Sequence, residues 1–172
     1  MTKLKLLIAA LFITEITFNA CDQADNEIKE NSLPVTIKKE YANKYFQEYS
    51  FTISSNNWKI VNSKVCFVDL PIDSITETTI KEGLLMLYLK ERNEYTALPF
   101  NYYQVRKILS FQPSFEPGHA YINVYGNFII NVSPKYEFKL VIVSPEGFRK
   151  SKNVDWRDLE KVRALMKIKS TI

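Results

Sequence analysis

A chain of 172 residues that is 46% hydrophobic has ample material for a core, and the part beyond residue 33 has the length of one domain. The net charge of +4 is scattered, with no run of five basic residues, which argues against a nucleic-acid partner. With only four glycines in the chain, no phosphate-cradling Gly-rich loop is present.

The first elements in the chain are targeting signals. Lys3 and Lys5 precede an apolar run from Leu6 to Ile13, and small and polar residues then lead to Ala20 and Cys21. This is the tripartite layout of a secretory signal over residues 1–20, and Glu15 interrupts it too early for a membrane span. Phe18 is too large for ordinary cleavage after Ala20, whereas a cut before Cys21 frees a thiol and an amine for acylation. The stretch resembles a bacterial lipoprotein signal in Ala20-Cys21, although Phe18 and Asn19 depart from its usual residues. Two or more acyl chains on Cys21 would hold the chain stably at a membrane, where a single chain would not. Residues 21–33 are acidic and polar, with almost nothing to bury, and are expected to form a flexible tether. An acidic stretch directly after the lipidated cysteine also resembles the surface-export signal of Bacteroidota lipoproteins. With Cys21 acylated, Cys66 has no disulfide partner, and its neighbours in KVCFVDL mark it as a buried, inert thiol.

Residues 34–172 read as one all-β domain, an antiparallel β-sandwich of Ig-like or jelly-roll-like type. Tyr49 to Ile53 alternates with period two, and Asn56-Asn57 turns the chain before Trp58. Lys64 to Leu70 reads as a central strand apolar on both faces. Leu84 to Leu89 is continuously apolar and, being short and preceded by Gly83, is expected to be a strand. Glu91 to Glu94 forms a polar loop, and Tyr95 to Leu98 returns as the hairpin partner, ended by Pro99. Tyr103, Val105, Leu109 and Phe111 share one parity in a single strand, and Pro113 to Gly118 is a turn. Residues 120–132 make two short strands or one bulged strand about Gly126-Asn127. Phe138, Leu140 and Ile142 face one way in the last strand, closed by Pro145-Glu146-Gly147. Two helical pieces interrupt the sheets. A short turn near 75–82 has hydroxyl caps and ends on Gly83. A C-terminal helix near 155–167 starts on Asp155, is stapled by Val154 and Leu159, and carries a stripe of Trp156, Leu159, Val162 and Met166. That helix should cover a sheet face or edge.

Catalytic constellations are missing from the sequence. The lone histidine, His119, lies beside Gly118 at a turn with no nucleophile elbow near it. Asp69, Asp73 and Glu77 are spaced by four, but Pro71 breaks any helix that would align them on a metal. No metal, no cofactor and no enzymatic activity are expected. The aromatic residues (2 Trp, 10 Tyr, 11 Phe) suit strands and core, yet exposed rings also stack on sugars. Tyr102 and Tyr103, after Pro99, are the candidate ligand-binding pair on a loop, and Tyr41, Tyr45 and Tyr49 could line one face.

Trp58 after a turn, the Ile75-Thr76 pair opening a helical turn, the strand from Gly83 to Tyr88 and the Leu98-Pro99 step carry a resemblance. Together with the later FKLVIV and VDWRDLEKV, they resemble a family of uncharacterised Bacteroidota exported proteins and lipoproteins over roughly residues 50–165. The resemblance implies a β-sandwich on a lipid tether and brings no catalytic residues with it. The expected function is therefore a lipid-anchored, non-enzymatic binding module at the outer membrane or cell surface, with periplasm-facing placement as the alternative. Its expected partners are the membrane, through acyl chains on Cys21, and a protein or polysaccharide. The alternative function is a surface glycan-binding lipoprotein.

Overall fold

The computed structural model describes residues 34–131, 135–151 and 153–169, so the proposed signal peptide, Cys21 and the tether lie outside the described residues. Among the described residues, ten strands form two antiparallel sheets. The first sheet holds β1 (Ile37–Ala42), β2 (Phe46–Ser54), β5 (Leu84–Glu91), β6 (Glu94–Ala97) and β10 (Lys135–Val143), in the order β1-β2-β10-β5-β6. The second holds β3 (Lys59–Asn62), β4 (Val65–Pro71), β7 (Phe100–Gln104), β8 (Lys107–Glu116) and β9 (His119–Gly126), in the order β3-β4-β9-β8-β7. The described residues also form the α-helices α1 (Glu77–Glu82), α2 (Pro145–Arg149) and α3 (Leu159–Lys169) and a 3-10 turn at Ser55–Asn57. The expected all-β sandwich is what the chain forms.

The main core lies between the sheets. Phe51, Ile53, Leu87, Phe138, Leu140 and Ile142 from the first sheet meet Cys66, Val68, Leu70, Phe111, Ile122 and Val124 from the second. Phe138 packs on Phe51 at 5.9 Å and on Phe111 across the sandwich at 6.3 Å. A second core lies on the outer face of the first sheet. There Phe46, Tyr88, Val141 and Val143 are sealed by Leu159, Val162 and Met166 of α3. Strands β5 and β10 are thus buried on both faces, which is why their sequences read as unbroken apolar runs rather than alternating ones. Burying charge as well, this interface holds Glu48, whose carboxylate accepts from Lys139 Nζ at 2.7 Å and from Arg163 Nη2 of α3 at 2.7 Å.

Several local expectations are corrected. The segment 64–70 alternates, with Cys66, Val68 and Leu70 inside and Val65, Phe67 and Asp69 half-buried outside, because only one side of its sheet is covered. Two strands, β7 and β8, replace the single strand expected around Tyr103 to Phe111. They are joined by a turn at Val105-Arg106 whose φ angles are both positive, and β8 continues through Pro113 to Glu116. The loop after Glu91 shrinks to Arg92-Asn93, since Glu91 and Glu94 pair directly. Pro145 follows the end of β10, as expected, but also opens α2, with the Ser144 hydroxyl accepting from the Gly147 amide. Asp158, rather than Asp155, caps α3, accepting from the Glu160 and Lys161 amides at 3.1 Å. Val154 and Trp156 therefore precede the helix, and half-buried Trp156 packs on Phe46 and Phe148 instead of extending the helical stripe.

Candidate functional site

The two outer faces of the sandwich differ. That of the first sheet is covered by α3 and the turn before it, whereas in the second, α1 meets β8 and, among the described residues, no helix packs substantially on β4 or β9. Strand pleating alternates side chains between faces, so the register defines the members of this bare surface. Down β9 run Tyr125, Asn123, Tyr121 and His119. Val65, Phe67, Asp69 and Pro71 of β4 lie opposite them on one side, and Ser110, Gln112, Ser114 and Glu116 of β8 on the other.

The rings form a connected row. His119 stacks on Tyr121 with centroids 6.0 Å apart and planes 11° from parallel, and Phe67 lies 6.5 Å from Tyr121 at 59°. Lys59 of β3 places its ammonium 5.7 Å over the Phe67 ring. Tyr125 is 42% exposed, so its ring is available for stacking. Polar groups are ordered between the rings: Asn123 Nδ2 donates to Ser114 Oγ at 2.9 Å and to the Gln112 carbonyl at 3.3 Å, and Gln112 Nε2 donates to Ser110 Oγ at 3.2 Å. At one end His119 Nδ1 lies 2.8 Å from Asp69 Oδ1, and Tyr121 Oη donates to Glu116 at 3.3 Å. Partial burial and the nearby charges of Asp69 and Glu116 push the Tyr121 hydroxyl pKa up, so it remains a neutral donor at physiological pH. Away from that end Val65, Ser110, Gln112, Asn123 and Tyr125 carry no charge of their own, while Lys59, opposite Phe67, brings one ammonium to the middle of the row.

The sequence-derived pair splits. Tyr102 and Tyr103 lie on β7, an edge strand rather than a loop, and adjacent strand residues face opposite ways. Tyr103, 70% exposed, continues the outer row opposite Ile108. Tyr102 points to the other side, into a cleft of about 740 Å³ between the β5–β6 and β7–β8 edges, floored by Leu89, Phe100, Leu109, Phe111 and Tyr136. Tyr41, Tyr45 and Tyr49 are likewise divided: Tyr49 is in the main core, and the other two pack in the second. Sequence reading missed the row on β9 altogether. Its signal was the alternation of Tyr125, Asn123, Tyr121 and His119 with Val124, Ile122 and Ala120, visible once β9 is recognised as a continuous strand.

His119 is better placed than a surface turn suggests, since it opens β9 and pairs with Asp69. Among the described residues, no Ser, Thr or Cys side chain is hydrogen-bonded to its ring. Asp73 and Glu77 are not joined to Asp69: Glu77 pairs with Lys81 at 2.9 Å, and no cluster of three or more metal-ligating side chains occurs among the described residues. Cys66 is buried at 1% exposure, and burial pushes its thiol up to about 11. The chain matches no protein-family model, no curated protein and no solved structure.

Proposed function

We propose that this chain is a lipid-anchored, non-enzymatic binding module of the bacterial cell envelope. In this reading, acyl chains on Cys21 fix it to the outer membrane or cell surface, residues 21–33 space it from the bilayer, and the bare face of the second sheet meets the partner. The observation that supports it is the asymmetry of the sandwich. One face is sealed by α3, and the other presents rings and amides, half-buried or exposed, with no covering helix over β4 and β9 among the described residues.

A second reading, a glycan-binding lipoprotein, is favoured by the chemistry of that face. Aromatic planes offer the CH-rich faces of a sugar ring a stacking surface. The Asn123 and Gln112 amides and the Ser110 and Ser114 hydroxyls supply donors and acceptors for its hydroxyls. Along β8 and β9 the side chains from Ser114 and Tyr121 to Ser110 and Tyr125 are uncharged, which suits a neutral polysaccharide.

Metabolic labelling with a palmitate analogue tests the anchor: labelled chain is expected from the wild type and none from Cys21→Ala. Equal labelling of both proteins would refute acylation at that residue. Affinity electrophoresis through neutral polysaccharides tests the face. Retardation that Tyr121→Ala and Tyr125→Ala abolish is expected, and uniform migration across the panel would count against the glycan reading.

A further inference from the structure

Each sheet of an open sandwich ends in two edge strands, whose unpaired backbone groups invite another strand, and folds normally guard them. Three of the four edges here are guarded. β1 carries Lys38, Lys39 and Glu40 and is bulged between Lys39 and Tyr41. β3 has four residues, begins on Lys59 and is irregular between Ile60 and Asn62. β6 also has four residues, begins on Glu94, and has α3 packed beside it. β7, five residues long, is short too but has neither charge, bulge nor, among the described residues, a covering helix. Its sequence, Phe-Asn-Tyr-Tyr-Gln, contains no charge and no proline, its pairing with β8 is regular, and no described element lies on its free side. Asn101 to Gln104 are all exposed, and beside them Val105 is 90% and Ile108 40% exposed.

We infer that β7 is a self-association edge, pairing antiparallel with β7 of a second copy of this chain. The choice of a second copy follows from the strand's chemistry. A charged edge repels its own copy, whereas an uncharged one meets itself without like-charge opposition. β7 carries no charge that would select a charged foreign strand, and paired about its own centre it is complementary to itself. A two-fold axis at Tyr102 sets Asn101 of one copy opposite Tyr103 of the other, side chains on the same face. Because such an axis is perpendicular to the sheet, the two second sheets join into one of ten strands. Their bare outer faces then form a single continuous surface, with Tyr103 at the seam. The inference rests on the edge alone and does not require the ligand reading.

Sedimentation velocity of the full chain in nonionic detergent, over a wide concentration range, tests it. A monomer–dimer equilibrium is expected. Tyr102→Lys and, independently, Gln104→Lys should weaken it at least tenfold, while Ile60→Lys on the guarded β3 edge should leave it unchanged. Both β7 positions are substantially exposed, so far-UV circular dichroism should match the wild type, and either variant suffices if the other misfolds. A wild type that sediments as a monomer up to roughly 1 mM, the weak end of specific affinities, would overturn the inference. So would lysine variants that associate as strongly as the wild type.

Discussion

Glu48 lies on β2 at 3% exposure beneath α3, between Lys139 of the neighbouring strand and Arg163 of the helix, with both cations also facing the Tyr95 ring. Burial alone would push its carboxyl pKa up. The hydrogen bonds and charges of Arg163 and Lys139 outweigh burial and hold the group below its ordinary value of 4.5. A depressed folded-state pKa contributes stability that is present above the unfolded value and lost as pH falls through the folded one. Removing one partner of a buried ion pair leaves the others uncompensated, at about 3 to 5 kcal/mol. Glu48→Gln should therefore lower the urea midpoint strongly at pH 6, and the gap from wild type should narrow at pH 3. A gap independent of pH would show that the network contributes by packing alone. Nothing in the sequence marks this triad, because its members are separated by 91 and 115 residues and meet only through strand register and helix docking.

Among the elements, α3 was legible and its start was not. Leu159, Val162 and Met166 fall at helical spacing and are all buried, as their period requires. Asp155 and Asp158 are both competent caps, however, and the choice between them depends on where Trp156 packs. Leu159→Ala removes side-chain volume between α3 and the first sheet and should cost about 2 to 4 kcal/mol in chemical denaturation. A loss under 1 kcal/mol would indicate that the helix is dispensable to the domain. The β7–β8 hairpin was the element misread, for a clear physical reason. Its turn uses Val105 and Arg106 at positive φ, without the Asn-Gly or Gly chemistry that marks such turns. It is held instead from across the sheet, where Asn127 donates to the Arg106 carbonyl at 2.9 Å and accepts from the Ile108 amide at 2.8 Å. A turn stabilised by a residue 21 positions away leaves no local signal.

For the whole molecule, the sandwich was readable from period-two runs and turn residues, but the difference between its two outer faces was not. That difference is a product of topology: α3 follows β10 and returns over the sheet containing it, leaving the other sheet bare. Tyr102 and Tyr103 are both exposed, but adjacency in sequence hides the pleat that turns them to opposite faces. Hydroxyl-radical footprinting of the full chain tests the bare-face claim most directly, with and without the neutral polysaccharide that retards it most. The account predicts protection at Tyr121, Tyr125 and Phe67, with Tyr45 and Tyr95 on the opposite side of the sandwich unchanged. Protection centred on Tyr45 and Tyr95, or no protection anywhere on the second sheet, would contradict it.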